Sequence, residues 1–162
     1  DLLDMVPVDA CRYFFNAKPE TQMEFDLGLA VREDSENPVY YVQYAYARIC
    51  TLLKNLAADG HTVPAPDAVD FSLLTDPTEL ALIKQIANYC DIVRLAARDY
   101  DPSFINRYLT DLAAAFHKFY NACRIKGEAE DLLNARLLLA DTARSVLKNG
   151  MTLIGCSAPE KM

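Results

Sequence analysis

The residues of this chain that could perform catalysis are few, and their spacing does not assemble a catalytic site. The two histidines, His61 and His117, have no carboxylate or cysteine partner at the spacing of a nucleophile–base pair or a metal site. The five cysteines are spread singly, without a CxxC pair or a Cys/His cluster. The five glycines are also single, so a glycine-rich phosphate-binding loop is missing. We therefore expect no catalytic residue and no metal ligand in this chain.

The chemistry that the sequence does offer is binding chemistry, from a mixture of aromatic, amide and basic side chains. These residues lie beside the apolar stripes of three predicted helices: Tyr40, Tyr41, Tyr44 and Arg48; Arg107, His117, Lys118, Tyr120, Asn121 and Arg124; and Arg136, Arg144, Lys148 and Asn149. Arginine and lysine neutralise phosphate, and aromatic rings stack on unpaired bases. Tyrosines on helices are also common packing residues, and Arg48 and Arg136 could equally bridge helices through carboxylates. The pattern by itself leaves RNA binding and ordinary packing both open.

Four long amphipathic helices would position these side chains. Three of them begin at a capping residue followed by proline: Asn37-Pro38, Asp76-Pro77 and Asp101-Pro102. Glycines mark three predicted ends: Gly60, Gly127 and Gly150. No alternating strand pattern of useful length is present. We therefore predict an all-α fold, an antiparallel bundle of four long helices with short N- and C-terminal helical segments.

The second of these helices has the most specific prediction. Glu79 stands three residues after Asp76, where a capping box requires a carboxylate. The helix is expected to run unbroken, and one set of apolar residues would form its inner face: Leu80, Ile83, Ile86, Cys90 and Val93.

Residues 1–36 differ from the rest of the chain. The stretch from Val8 to Phe15 is predicted to form a short aromatic-rich helix, and Met23 to Asp26 an extended piece. We expect this part to be a connector outside the bundle, so that the chain divides into residues 1–36 and residues 37–162. The chain opens on Asp1 with no methionine and closes on a definite ending, so we also expect a natural C-terminus on a cut N-terminus.

The charge and composition limit the partners that this chain can have. The net charge of −7 opposes a nucleic-acid partner, but it divides into −6 for residues 1–40, −2 for residues 41–100 and +1 for residues 101–162. A polyanion should therefore be sought toward the C-terminal third. No apolar run approaches the roughly 20 residues that span a bilayer, and no signal peptide is recognisable. We predict a cytoplasmic protein with reduced cysteines, no membrane partner and no DNA partner.

Several stretches, in the right order, resemble arginyl-tRNA synthetases. Residues 37–48 (NPVYYVQYAYAR) resemble the opening of that family's anticodon-binding domain, although the family usually has histidine where this chain has Tyr46. Residues 112–123 resemble the third helix, residues 134–139 followed by residues 146–150 resemble the DALR helix, and the ending at residues 153–162 resembles the terminal segment. The family commonly ends Glu-Arg-Met, so Lys161 departs from its pattern. Two upstream stretches, residues 8–15 and 25–27, resemble the last part of the catalytic domain.

The resemblance implies a class I synthetase that uses ATP with Mg²⁺ to activate arginine and then esterifies it to tRNA. Nothing like the family's HIGH or KMSKS elements occurs here. This chain would therefore need no cofactor and catalyse nothing alone, and would bind the anticodon stem-loop of tRNA(Arg) for the rest of the synthetase chain. The positions of the family motifs imply which residues would contact tRNA. They are Tyr44 and Arg48 on the first helix, Asn121 and Arg124 near the anticodon loop, Arg136, Arg144 and Lys148 on phosphates, and Lys161 and Met162 in the tail.

Two other interpretations remain. A helical protein-interaction module without an RNA ligand would explain the acidic balance more directly. The same domain from a sister class I synthetase, such as the cysteinyl enzyme, would share a DALR-like bundle. The run from Gln43 to Arg48 and the Ala-Pro-Glu-Lys-Met ending weigh against the sister enzyme.

Overall fold

The computed structural model describes residues 2–19, 22 and 24–162, and all regular structure within them is helical. Eight α-helices are formed there: α1 (Leu2–Met5), α2 (Val8–Ala17), α3 (Leu27–Ala30), α4 (Pro38–Ala58), α5 (Pro77–Ala87), α6 (Tyr89–Asp99), α7 (Ser103–Ala122) and α8 (Glu130–Leu153). Two short 3-10 turns, Pro66–Ala68 and Phe71–Leu73, lie in the connection before α5. The all-α prediction is confirmed. None of the described helices is long and apolar enough to cross a membrane.

Helix α7 is the centre of the bundle. It packs against α2, α4, α5, α6 and α8. Its inner face carries four large, fully buried side chains: Leu109, Leu112, Phe116 and Phe119. Residues at helical spacing therefore bury one continuous stripe, and each large apolar side chain removed from water contributes about 1.5–3 kcal/mol. This packing holds α4 beside α7.

The predicted helix starts are correct, but one of the predicted caps is wrong. Asp76 forms the expected capping box: its carboxylate accepts from the Thr78 N–H at 2.8 Å, and Glu79 accepts from the Asp76 N–H at 2.8 Å. Asn37 occupies the cap position of α4 without capping it. Its Nδ2 instead donates to the carbonyls of Ala30 at 3.3 Å and Arg32 at 2.8 Å. The side chain therefore fastens the end of α3 to the start of α4.

The second long helix is broken where the prediction had it continuous. Asn88 stands between the end of α5 and the start of α6, and both of these helices pack against α7. The Tyr108 hydroxyl of α7 donates to the Gln85 carbonyl at 2.9 Å, which satisfies an acceptor in the last turn of α5. The predicted inner face is consequently wrong in part. Leu80 and Cys90 are exposed, and Leu82 is buried instead.

The end predicted for α8 at Gly150 is also wrong. The helix continues to Leu153, and Gly150 is buried inside it against α7. The chain turns at Gly155, whose φ of +74° lies in the left-handed region that glycine tolerates. Gly150 is therefore present for close packing between helices and not for termination.

Helix α2 belongs to the same core as the bundle. Tyr13 is buried, its hydroxyl donates to the Asn106 carbonyl at 2.9 Å, and the Asn106 amide donates back to the Tyr13 carbonyl at 2.9 Å. The expectation that residues 1–36 lie outside the bundle is therefore wrong for α2. Of the predicted extended piece, Met23 lies outside the described residues. The division of the chain at residue 36 remains a prediction.

Candidate nucleic-acid interface

A concave surface with a volume of about 440 Å³ lies between α4 and α7, and we call it the α4–α7 groove. Its lining is aromatic and polar: Ser35, Tyr40, Tyr41, Tyr44, Arg48, His117 and Asn121. Three of these residues follow one another at successive turns of α4, at positions 40, 44 and 48, and two do so on α7, at positions 117 and 121. The groove is therefore formed by two helical rows that the core packing places opposite each other.

The aromatic rings of the groove support one another. The rings of Tyr40 and Tyr44 are nearly parallel, with centroids 6.3 Å apart and an interplanar angle of 10°. The imidazole of His117 lies 5.2 Å from the Tyr41 ring and 6.1 Å from the Tyr44 ring, measured between centroids. Tyr44 nevertheless keeps 41% of its surface exposed. The groove thus presents to solvent an aromatic surface whose rings are held in place by contacts with one another.

Arg48 provides the positive charge of the groove. Its guanidinium carbon lies 4.4 Å from the centroid of the Tyr120 ring and 5.9 Å from that of Tyr44. Within the described part of the chain it forms no ion pair with a carboxylate. A guanidinium held over an aromatic face keeps its charge and its N–H donors available for another anion.

His117 is held in its uncharged form more strongly than a free histidine. Burial lowers the pKa of His117, and the nearby positive charge of Arg48 lowers it further. A neutral imidazole therefore lies among the tyrosines near neutral pH. From the sequence, Tyr40, Tyr41 and His117 were expected among the binding side chains but were not predicted as site residues. The four-residue spacings from Tyr40 to Tyr44 and from His117 to Asn121 were the signals that could have identified Tyr40 and His117.

The residues predicted at the end of α7 divide between the groove and its margin. Asn121 lines the groove. Arg124 is exposed just beyond the end of α7, and it is not a lining residue of the groove. Tyr44, Arg48 and Asn121 are therefore the predicted residues that the fold brings together.

Arg136 is not part of this surface. Only 12% of its side chain is exposed, and its Nε lies 2.6 Å from Oε1 of the fully buried Glu79. Its Nη1 donates to the Arg124 carbonyl and lies 3.5 Å from Glu128. The guanidinium thus ties α8 to α5 and to the end of α7, and we replace the phosphate role predicted for Arg136 with a structural one.

The other two predicted residues of α8 also lie outside the groove lining. Arg144 is half-buried, and both its Nε and its Nη2 lie 2.8 Å from Oδ1 of Asp141, one turn earlier in the helix. Lys148 is exposed. Arg144 and Lys148 are therefore not among the residues that line the groove with Tyr44, Arg48 and Asn121.

The C-terminal residues do lie beside the groove. Met162 lines a second recess together with Tyr40 and Gln43, among other residues, and Lys161 is exposed next to it. Tyr40 lines both this recess and the α4–α7 groove. The predicted tail residues and the predicted helix residues therefore meet at one stretch of α4.

The acidic residues on either side of Ser35 share one counterion, Arg32. Arg32 pairs with Asp34 at 2.8 Å and also with Glu36. These pairs compensate part of the negative charge at this end of the groove. Among the described residues, no group of three or more His, Cys, Asp or Glu side chains is placed to hold a metal ion.

Comparison with known proteins gives consistent matches over this chain. Residues 42–162 match the family described as "DALR anticodon binding domain". The chain is 48% identical over 163 residues to the arginine–tRNA ligases of Acetivibrio thermocellus and Ruminiclostridium cellulolyticum, where all of this chain aligns with 29% of each relative. It is also similar to the solved arginyl-tRNA synthetase of Thermus thermophilus, with a TM-score of 0.82 and 30% identity over 98% of this chain and 27% of that one. The chain therefore spans less than a third of the length of these relatives.

Proposed function

The chain belongs to the DALR anticodon-binding domain family of arginyl-tRNA synthetases, and from that premise we propose that its α4–α7 groove binds the anticodon stem-loop of tRNA(Arg). The observation that carries the proposal is the position of Arg48. Its guanidinium is held over Tyr120 without a carboxylate partner in the described part of the chain, beside the exposed ring of Tyr44. This combination suits a single-stranded loop, which has both phosphates and unstacked bases.

Each side chain of the groove has a distinct task in this proposal. Arg48 donates to phosphate oxygens, and Tyr44 offers a ring on which an unpaired base can stack. The Asn121 amide carries both a donor and an acceptor, which fits the edge of a base. Arg124 and Lys148 add positive charge outside the groove lining, and Lys161 and Met162 lie at its edge, beside the recess that shares Tyr40 with it. Arg144, which is already paired with Asp141, contributes least.

Within the whole synthetase we propose that this chain has a positional role. Its relatives extend far beyond the aligned part, and the arginylation reaction, with its ATP and Mg²⁺, would be carried out by residues outside this chain. Binding the anticodon stem-loop fixes one end of the tRNA, so that the acceptor end reaches that active site. We also propose that the protein acts in the cytoplasm, where tRNA is aminoacylated.

Binding of a tRNA(Arg) transcript by this chain, measured by fluorescence anisotropy over a series of salt concentrations, tests the proposal. Loss of one phosphate contact in Arg48→Gln should weaken binding and reduce the slope of log K against log salt by about 1. Arg94→Gln is the matched control, because Arg94 is 79% exposed on α6 and lies outside the groove lining. Absence of salt-dependent binding by the unaltered chain, together with RNA-independent capture of a protein, would favour an interaction module instead.

A further inference from the structure

The C-terminal tail, residues 155–162, is fastened across α2 by side chains that are distant in sequence. After α8 ends, the Asn16 amide donates to the Ile154 carbonyl at 3.0 Å, and Arg12 Nη1 donates to the Gly155 carbonyl at 2.7 Å. Both donors lie on α2. The path of the tail is therefore determined by contacts with the opposite end of the chain.

Asp9 lies at the centre of this attachment. Its Oδ1 accepts from the Ser157 N–H at 3.1 Å, and its Oδ2 accepts from the Ser157 hydroxyl and from Gln43 Nε2, the latter at 2.8 Å. Gln43 also donates to the Ser157 carbonyl at 3.1 Å. Three elements, α2, α4 and the tail, thus meet through one carboxylate, and we call these three residues the Asp9 clamp. Bonds to an ionised carboxylate are the stronger kind of hydrogen bond, so the clamp favours one tail position.

The clamp lies next to the α4–α7 groove. Gln43 is only 8% exposed and directly precedes Tyr44 in α4. Five residues beyond Ser157, Met162 reaches the recess that Gln43 and Tyr40 line. Tyr40 lines the groove on its other side. The position of the last residues, relative to the groove, therefore depends on where Asp9 holds Ser157.

We propose that Asp9 is a positioning residue for RNA binding, which acts by holding Lys161 and Met162 at the edge of the α4–α7 groove. This inference rests on the proposed function of the groove. An acidic residue would thus promote binding of a polyanion, because three donors already engage its carboxylate. A tail held in place before binding avoids the entropy cost of ordering it when the RNA arrives.

The variant Asp9→Asn tests the clamp with little change in size. Its amide replaces one acceptor oxygen with a donor, so in either orientation the variant loses the bond from Gln43 Nε2 or the bond from the Ser157 N–H. We expect carboxypeptidase to release Met162 faster, and tRNA(Arg) affinity to fall by about 5-fold as the tail loses its preorganisation. Ser157→Ala, which removes only a hydroxyl from an exposed residue, should change both measurements in the same direction and less. Asp67→Asn, an exposed aspartate in the connection before α5, is the control for loss of charge.

A shortened chain that ends at Glu160 shows whether Asp9 affects RNA binding through Lys161 and Met162 or independently of them. Without Lys161 and Met162, Asp9→Asn should cause no further loss of affinity. An equal loss in the full and shortened chains would overturn the proposal, because Asp9 would then act without the tail. Unchanged affinity in full-length Asp9→Asn, despite faster release of Met162, would overturn it as well. Failure of the unaltered chain to bind tRNA would instead overturn the proposed function, and with it this role of Asp9.

Discussion

Gly150 of α8 lies directly against Leu109 of α7. A Cβ atom built on Gly150 would stand 2.6 Å from Leu109 Cδ2 and 3.2 Å from its Cγ, and Leu109 is fully buried. The two helices can approach this closely only because Gly150 has no side chain. This contact explains why a glycine is found in the interior of a long helix, where it would otherwise weaken the helix.

Gly150→Ala should therefore destabilise the protein, although alanine favours helices. Overpacking a core typically costs about 1–3 kcal/mol, and alanine in place of glycine recovers about 1 kcal/mol of helix propensity. We expect the free energy of unfolding to fall by about 1 kcal/mol, measured by urea denaturation. In a Leu109→Ala background, where the space is open, the same substitution should become stabilising. Stabilisation by Gly150→Ala alone would refute the close-contact explanation.

The buried ion pair between Glu79 and Arg136 leads to a second prediction. Glu79→Gln keeps the shape and the capping position but leaves the Arg136 guanidinium without its nearest anion. Removing one partner of a buried pair costs about 3–5 kcal/mol, and Glu128 at 3.5 Å compensates part of that cost. We expect a loss of about 2–3 kcal/mol in the free energy of unfolding. Glu128→Gln is the control, with an expected loss below about 1 kcal/mol because Glu128 is partly exposed.

A comparison of Arg48 with Arg136 shows how much of this site the sequence could predict. Arg48 and Arg136 are both arginines beside an apolar stripe, so the sequence left both open to bridging or binding. The difference lies in the neighbours. Glu79 is buried in the first turn of α5, where Arg136 of α8 reaches it, whereas Tyr120 of α7 lies under Arg48. Contacts between residues 57 or 72 positions apart depend on how helices cross, which periodicity within one helix does not specify.

The fold was predictable to a similar extent. Cap and proline pairs identified the starts of α4, α5 and α7, because those signals act within a few residues. The break at Asn88 carries no proline or glycine, so no local signal marks it, and the contacts of α5 and α6 with α7 lie outside the reach of such signals. Gly150 was misinterpreted for the same reason, since its role depends on Leu109 of a different helix.

Tyr44 provides a third prediction, which concerns base stacking. If a base stacks on the exposed ring, Tyr44→Ala should weaken tRNA(Arg) binding by about 10-fold, within the range of about 1–3 kcal/mol for one stacked base. Tyr44→Phe keeps the ring and should bind nearly as well as the unaltered chain. Tyr100→Ala is the control, because Tyr100 is 92% exposed at the end of α6, outside the groove lining. Equal weakening by Tyr44→Phe and Tyr44→Ala would show that the hydroxyl matters, not the ring.

The lowered pKa of His117 leads to a prediction about stability and pH. In the unfolded chain His117 takes up a proton near its ordinary pKa of 6.5, whereas in the folded chain it does so only at lower pH. The unfolded state therefore binds more protons between these two pKa values. The contribution of neutral His117 to the free energy of unfolding is fully present above pH 6.5, and it falls as the pH decreases through this window. The thermal midpoint of the unaltered chain should thus decrease more than that of His117→Gln between about pH 7.5 and about pH 5.

The variant Arg48→Gln is a second test, because burial lowers the pKa of His117 more than the charge of Arg48 does. Loss of that charge should make the decrease of the thermal midpoint smaller without abolishing it. Identical pH dependence in the unaltered chain and His117→Gln would contradict this prediction. The imidazole would then be hydrated in the groove, and its ring would not be packed against Tyr44 away from water.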